Sequence, residues 1–187
     1  MSKGNLKKVL EGDYEAFRLI IRKHKDDAFT LAMSVVKNET LAQDVVQVAF
    51  IKAYDKLDTF RGESKFSTWF YRIVINEAYN RQKKQKKKAQ PLESISQDSI
   101  PTEELNEIFS KIEKDNQRYF INEALMKLPA DYSLALRLFY LEEFNLKEIS
   151  ETTGWTNVNT RVLLHRARKE MKSVLTELLK LKKEDLY

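Results

Sequence analysis

The sequence predicts an all-α fold, arranged as two small helical domains joined by a flexible acidic linker. Its 187 residues include only 4 Gly and 3 Pro, which disfavours the many turns of an all-β fold. Leu, Lys, Glu and Ala, which are good helix formers, dominate the composition. Apolar residues recur at spacings of three and four, as they do in helices with one buried face. The hydrophobic fraction of 42% is enough to form a core.

The residues that usually carry redox, metal or nucleophilic chemistry are scarce. The chain has no cysteines, which excludes disulfides and thiolate metal sites. Its two histidines, His24 and His165, are far apart in sequence, and no glycine-rich phosphate loop is present. We therefore predict no catalytic site, no metal and no cofactor. The N-terminus has no apolar run, and no stretch approaches the ~18 apolar residues of a membrane span, which predicts a soluble, cytoplasmic protein.

Charge is distributed unevenly along the chain and marks the domain boundaries. Residues 1–88 carry a net charge of +8, residues 89–116 carry −5 and residues 117–187 carry +2. Prolines and serines follow a lysine-rich run and predict a linker over residues 89–116. The two domains then span residues 1–88 and 117–187. Two basic blocks around an acidic one indicate a polyanionic partner, although ordinary solvated surface explains the charge equally well.

Three helices are predicted in the first domain. Apolar residues between positions 17 and 35 recur at helical spacing and give the first helix. Thr40 should open the second helix, with Gln43 three residues later as its capping-box partner. A loop then leads to a third helix that begins at about Ser67 and runs into the lysines.

Four helices are predicted in the second domain, and the last two have helix-turn-helix spacing. An apolar stripe over residues 120–128 ends at Pro129, and a second helix follows over residues 132–141. Asn145 and Glu148 can cap a helix over residues 146–153, which Gly154 ends in a left-handed conformation. Thr156 can cap the final helix, from about residue 157 to 181. This arrangement offers the final helix to a major groove.

The final helix carries basic residues on its polar side. Arg161 and His165 share a face, with Arg166 beside them. An arginine can donate two hydrogen bonds to the edge of a guanine, which predicts sequence-specific DNA contact. The alternative is an amphipathic helix with a solvated basic face.

Residues 60–71 form an aromatic segment interleaved with Arg61 and Lys65. Aromatic rings supply stacking surfaces for unpaired bases, and neighbouring cations follow the phosphates. The spacing of Phe66, Phe70 and Ile73 is that of a core stripe, and we expect these three to be core. The segment as a whole predicts a surface that holds single-stranded nucleic acid.

Three sequence motifs carry a resemblance to a known family. They are AQDVVQVAFIKAY at residues 42–54, FRGES at residues 60–64 with the downstream residues to 76, and LHRARK at residues 164–169. In this order, and with a linker between the second and the third, the chain resembles the extracytoplasmic-function (group 4) sigma factors. These are sigma-70-type transcription factors that consist of domains sigma-2 and sigma-4. The likeness implies sigma-2 at residues 1–88 and sigma-4, with the helix-turn-helix, at residues 117–187.

The resemblance implies a role for each motif. Residues implied in docking on the clamp helices of the largest subunit of RNA polymerase are Asp44, Gln47, Phe50, Lys52 and Tyr54. Residues implied in melting and reading the −10 element are Arg61, Ser64, Lys65, Phe66, Thr68, Trp69, Arg72, Asn76, Asn80, Lys83 and Lys84. Residues implied in reading the −35 element are Asn159, Arg161, Val162, His165, Arg166, Arg168 and Lys169. Implied partners are core RNA polymerase, through its clamp helices and flap, promoter DNA, and a membrane-associated anti-sigma factor.

Two other functions remain as alternatives. A conventional helix-turn-helix regulator would bind duplex DNA without polymerase, but it would not need the aromatic segment. A phosphohydrolase or nuclease could hold a metal at Asp26–Asp27 or Glu142–Glu143. Adjacent residues on a helix point about 100° apart, so these pairs are better explained as surface charges. We predict a transcription initiation factor and not an enzyme.

Overall fold

The computed structural model describes residue 9 and residues 13–86 and 114–184, and these are all-α. No strand occurs in these ranges. The chain divides into two compact units. We describe residues 13–86 as the first unit and residues 114–184, which include the whole of the predicted helix-turn-helix, as the second. The predicted linker lies outside the described residues, apart from positions 114–116.

The first helix of the first unit, α1, spans Tyr14–Val36. The side chain of Asp13 caps it by accepting a hydrogen bond of 3.1 Å from the backbone N–H of Ala16. Lys37 ends it in a left-handed conformation, with φ 53°. The side-chain amide of Gln82 donates to the carbonyl of Val35 at 2.7 Å, so the end of α1 is tied to the third helix. The predicted apolar face is buried at Ile20, Ala28, Leu31, Ala32 and Val35.

The second helix, α2, spans Glu39–Asp55. The prediction that Thr40 opens it is wrong, because Asn38 is the capping residue. Asn38 is extended (φ −144°, ψ 125°), and its side chain accepts a hydrogen bond of 3.0 Å from the N–H of Leu41. Asparagine caps a helix at least as well as threonine, so the helix begins one residue before Thr40.

A 3-10 turn, Leu57–Thr59, precedes the third helix, α3, which spans Phe66–Lys86. The three helices pack against one another in every pairing. The contribution of α3 to the core is Phe66, Phe70, Tyr71, Val74, Ile75 and Ala78. Ile73 is half-buried, so it lies at the margin of the core instead of inside it.

The second unit contains α4 (Lys114–Lys127), α5 (Ala130–Leu136), α6 (Leu146–Thr153) and α7 (Asn157–Glu184). Both α4 and α5 pack on α7. The helix predicted over residues 132–141 is present, but its last five residues, Arg137–Leu141, form a π turn. The N–H of Glu142 donates there to the carbonyl of Arg137, five residues earlier, at 3.0 Å.

Within the described ranges, no helix is both long enough and apolar enough to cross a lipid bilayer.

Candidate nucleic-acid interface

One exposed face of α2 carries three of the predicted docking residues. Asp44, Gln47 and Tyr54 are all exposed, at spacings of three and seven residues. Ile51 lies on the same face between Gln47 and Tyr54, and it is 55% exposed. The sequence analysis missed Ile51, although its position four residues after Gln47 places it on that face.

Two aromatic residues of α1 extend this face at Tyr54. The ring of Tyr54 stacks on Tyr14 with centroids 6.4 Å apart and meets the edge of Phe17 at 5.0 Å. Desolvation among these rings raises the pKa of Tyr54, and Tyr14 raises it further. Asp44, Gln47, Ile51, Tyr54 and Tyr14 together form what we call the α2 face.

Phe50, another predicted docking residue, does not belong to the α2 face. It is 7% exposed, and its ring stacks on Phe70 with centroids 4.6 Å apart. The side chain points away from Asp44 because six residues correspond to about 240° of helical rotation. Phe50 therefore supports the α2 face from the core.

Lys52, another predicted docking residue, forms an ion pair inside its own unit. Its Nζ lies 2.5 Å from Glu77 Oε2, and Arg81 Nε donates to the other carboxylate oxygen at 3.2 Å. Burial raises the pKa of Glu77, but the hydrogen bonds from Lys52 and Arg81 outweigh that effect and leave the pKa below its ordinary value. This carboxylate joins α2 to α3.

The aromatic segment forms a cluster of three rings at the start of α3. Phe60, Phe66 and Trp69 have centroids between 5.4 and 5.7 Å apart. Trp69 is half-buried, whereas the preceding loop exposes its polar residues. The exposed loop residues that were predicted to contact the −10 element are Arg61, Ser64 and Lys65. Gly62 takes φ 71° at the bend of this loop.

Two predicted −10 contacts, Phe66 and Thr68, are buried and cannot reach a ligand as the chain stands. Phe66 is core, as its spacing indicated, and stacks on Phe70 at 5.9 Å. Thr68 is also buried, and its hydroxyl has no hydrogen-bond partner in the described part of the chain. These two residues therefore shape the loop from beneath instead of forming its outer surface.

A buried polar chain that the sequence analysis did not identify lies under the same cluster. His24 is buried, with its ring centroid 5.5 Å from Phe66, 6.1 Å from Phe70 and 6.0 Å from Tyr71. The hydroxyl of Tyr71 donates to Asp27 at 2.8 Å and lies 3.4 Å from His24 Nδ1. Because the hydroxyl proton is used by Asp27, the His24 contact requires a proton on Nδ1.

Burial is the main cause that lowers the pKa of His24. Nearby Lys23 lowers it further, whereas Asp27 opposes the shift. The neutral imidazole therefore suits this position between α1 and α3.

The outer face of α3 exposes the remaining residues predicted for the −10 element. Arg72, Asn76, Asn80 and Lys83 recur at spacings of three and four and are all exposed, as is Lys84 on the flank. Cations and amides thus follow one side of α3 after the aromatic cluster.

In the second unit, the caps predicted for the helix-turn-helix are confirmed. Asn145 Oδ1 accepts from the N–H of Glu148 at 3.0 Å, and Glu148 Oε2 accepts from the N–H of Asn145 at 2.9 Å. Gly154 takes φ 80° after α6. Thr156 Oγ1 accepts from the N–H of Asn159 at 3.1 Å and so caps α7.

One side of α7 is buried and the opposite side is open. The buried residues are Thr160, Leu164, Ala167, Met171 and Leu175. Arg161, Val162 and Asn159 are exposed, and His165, Arg166 and Lys169 are half-exposed. At about 100° per residue, Arg161 and His165 lie on one flank of the open side, and Asn159 and Arg166 lie on the other. We call this open side the α7 face.

Val158 belongs to the α7 face and was missed by the sequence analysis. It is 72% exposed, one turn before Val162, and lies between the two flanks. An isolated valine gives no signal of function, and only the helical position reveals its surroundings.

Arg168, predicted to face the −35 element, is held by its own unit. Its Nε donates to the hydroxyl of Tyr140 at 2.8 Å. Its guanidinium lies 5.5 Å from the ring centroid of Phe139 and 5.6 Å from that of Tyr140. These contacts join α7 to the π turn.

The acidic pairs considered for a metal do not form a cluster. Asp27 accepts from Tyr71, and the part of the chain that the structure describes contains no group of three or more histidine, aspartate or glutamate side chains suited to a metal ion.

Comparison with known families gives a match in each unit. Residues 20–88 match Sigma-70 region 2, and residues 121–171 match Sigma-70, region 4. The chain is 31% identical to the ECF RNA polymerase sigma factor SigW of Bacillus subtilis (strain 168), over 95% of the chain and 98% of that protein. It is 34% identical to the RNA polymerase sigma factor SigV of the same organism, over 89% and 91%.

Two solved structures share the fold. The sigma factor RpoE of Bartonella quintana, in complex with the anti-sigma factor NepR, has a TM-score of 0.64 at 22% identity and covers 86% of the chain and 96% of its own. CnrH, in complex with the cytosolic domain of CnrY, has a TM-score of 0.57 at 18% identity and covers 92% and 96%. At these identities the likeness concerns the fold.

Proposed function

Since the chain belongs to the extracytoplasmic-function sigma factors of the sigma-70 type, which direct RNA polymerase to promoters, we propose that its two units divide promoter recognition between a melted −10 element and a duplex −35 element. The aromatic cluster Phe60–Phe66–Trp69 next to exposed cations carries this proposal. A regulator that only binds duplex DNA does not need such a surface.

The first unit would capture one strand of the −10 element. Extruding a base costs a few kcal/mol of lost pairing and stacking, which an aromatic surface can offset at a few positions. Ser64, Lys65 and Trp69 would contact the extruded base, with Phe66 and Thr68 supporting them from below. Arg72, Asn76, Asn80, Lys83 and Lys84 would follow the strand along α3.

The α2 face would dock on the clamp helices of the largest polymerase subunit. Ile51 and Tyr54 supply exposed apolar area, and Asp44 and Gln47 supply polar contacts at its edge. Such a mixture is typical of interfaces with an apolar centre and a polar rim. Lys52 would act through its ion pair with Glu77, which fixes α2 against α3.

The second unit would read the −35 element in the major groove through the α7 face. Arg161 has the planar, permanently charged group suited to a guanine edge or a phosphate. Asn159 and Arg166 would add contacts on the other flank, Lys169 would add a contact between the flanks, and Arg168 would act mainly by bracing α7. This unit would also contact the polymerase flap.

An anti-sigma factor is a further proposed partner. One similar solved structure is a complex with the anti-sigma factor NepR, and another is a complex with the cytosolic domain of CnrY. We infer that a membrane-associated anti-sigma factor restrains this chain, which would act in the cytoplasm. The chain would perform no enzymatic step, because polymerase makes the RNA.

Transcription by core polymerase tests the proposal. The protein alone should bind promoter DNA weakly and in a salt-dependent manner, because in this proposal core polymerase sets the spacing of the two readers. Core polymerase should make binding tight and sequence-specific. Equal affinity and specificity with and without polymerase would instead indicate a conventional helix-turn-helix regulator. Divalent-ion-dependent hydrolysis by the pure protein would indicate an enzyme.

Variants of the α2 face separate docking from DNA contact. Asp44→Ala with Gln47→Ala should weaken competition for core polymerase without unfolding the protein. Asp26→Ala, which alters an exposed residue of α1 that is not part of the α2 face, is the control. Normal competition by the double variant would remove these two residues from the docking surface.

The melting role is tested with a promoter that is already open. Ser64→Ala with Lys65→Ala should reduce transcription from a closed promoter more than from a template with a pre-melted −10 bubble, since part of the unpairing cost has been met. Equal losses on both templates would contradict a role in melting.

A further inference from the structure

Two exposed valines occupy the middle of the α7 face. Val158 is 72% exposed and Val162 is 39% exposed, and they lie one turn apart. Single exposed apolar residues are common, but valine is a poor helix former, so neither folding nor solubility favours a pair of them on an open helical face. Their presence there calls for a ligand with an apolar component.

The surroundings of the valines restrict what that ligand can be. Arg161 and His165 lie on one side of the pair, and Arg166 lies on the other. A matching ligand is therefore anionic at its two edges and apolar between them. The major groove of duplex DNA has this character where thymine is present, because the thymine methyl group projects between two phosphate backbones.

Valine also limits the bases that it can recognise. Its side chain has no hydrogen-bonding group, so it cannot form hydrogen bonds with the acceptors of guanine or with the amino groups of adenine and cytosine. The methyl group of thymine is the one major-groove feature that an aliphatic side chain can distinguish.

We propose that Val158 and Val162 determine specificity in the −35 element by packing against thymine methyl groups. The inference rests on the proposed function of α7. The two residues are separated by about 6 Å along the helix axis, which lies between one and two base steps of about 3.4 Å. The recognised thymines should therefore lie within two adjacent base steps, on either strand.

Removing the methyl group while keeping every hydrogen bond tests the proposal. In a promoter transcribed by the holoenzyme, each thymine of the −35 element is replaced in turn by deoxyuridine. Loss of one buried methyl group should lower promoter binding by about fourfold. We expect this loss at one or two neighbouring positions, and no effect of deoxyuridine at any position would overturn the proposal.

The valine variants identify the residue responsible. Val158→Ala and Val162→Ala should each lower binding to the thymine promoter and abolish the thymine–deoxyuridine difference at one position. Arg161→Ala is the matched control, because it should weaken binding but keep that difference. A difference that persists in both valine variants would assign the methyl contact to other residues and overturn the proposal.

The same variants distinguish failure of this inference from failure of the proposed function. If Arg161→Ala weakens binding and deoxyuridine has no effect, α7 reads the −35 element without the valines. If Arg161→Ala, Val158→Ala and Val162→Ala all bind as the wild type does, α7 is not the −35 reader, and both proposals fail. Thermal unfolding of each variant should be unchanged, since these side chains are exposed.

Discussion

The aromatic loop of the first unit and the α7 face of the second differ in how they are supported. Trp69 rests on Phe60 and Phe66, and Phe66 in turn contacts the buried ring of His24. The exposed side chains of the α7 face project from a regular helix whose start is capped by Thr156. A single strand has no fixed shape, so a surface that holds it must be shaped in advance by tertiary packing. A major groove is already regular, and a helix held at the right angle is sufficient.

The two regions also differ in their buried ionisable groups. The first unit buries His24 and Glu77, each of which can change charge at moderately acidic pH. In the second unit the buried ionisable side chain among the described residues is Arg137, which keeps its charge. Folding of the first unit should therefore depend more on pH.

The largest effect should come from Phe50→Ala in the first unit. Removing a buried ring should lower the free energy of unfolding by about 3–5 kcal/mol. Ile51→Ala, at the next position and exposed, should change it by about 0.5 kcal/mol or less while lowering polymerase affinity. Chemical denaturation and competition binding would measure both. If the Phe50→Ala protein were as stable as the Ile51→Ala protein, the core beneath the aromatic loop would not depend on the ring of Phe50 as we describe.

A smaller effect is expected from Glu77→Gln. The substitution removes the carboxylate that Lys52 and Arg81 share and should lower the free energy of unfolding by about 1–2 kcal/mol. The effect is modest because both cations are partly exposed to solvent. The pKa of Glu77 is lowered, so its contribution is complete above the ordinary value of 4.5 and is lost as pH falls through the folded-state pKa. Denaturation at pH 7 and pH 4 should therefore show a smaller gap between variant and wild type in acid. A constant gap would contradict this assignment.

In the second unit, Gly154→Ala should lower the free energy of unfolding by about 1 kcal/mol. The added methyl group meets nothing within 4 Å, so the cost comes from the φ of 80° alone. Gly154→Asn should cost less, because asparagine tolerates the left-handed region better. Thermal unfolding would compare the two variants. Equal losses would point to a contact at Gly154 instead of backbone strain.

The smallest effect concerns the titration of His24. Its folded-state pKa is lowered, so the unfolded chain binds the proton first as pH falls. Stability is then complete above the unfolded value of 6.5 and declines as pH falls from there to the folded-state pKa. His24→Gln should remove this decline between about pH 7.5 and 5.5, whereas His165→Gln should keep it. Loss of the decline in His165→Gln would locate the sensitive group in the second unit.

Features fixed by neighbouring residues could be predicted from the sequence, and those that depend on tertiary packing could not. The caps at Asn145 and Thr156 and the turn at Gly154 depend on local hydrogen bonds and backbone conformation, and they were predicted correctly. Thr40 was predicted as a cap because the rival, Asn38, stands only two residues earlier and satisfies the same rule.

The predicted docking set shows the same limit. Motif resemblance grouped Phe50 with Asp44 because both belong to one segment, but helical rotation directs them to opposite sides. Ile51 went unrecognised because an apolar residue in a helix is usually expected to be buried. The bond between Tyr71 and Asp27 joins residues 44 positions apart, and no local pattern in the sequence indicates it.

The π turn Arg137–Leu141 accommodates one surplus residue in the second unit. A π turn contains one residue more than an α-helical turn, and each completes about one full rotation. Deleting one of these five residues would therefore restore ordinary winding and leave the direction of the following chain nearly unchanged. In the regular helix α7, by contrast, a deletion would rotate every later side chain by about 100°, so changes of one residue in length should be tolerated better at the π turn than within α7.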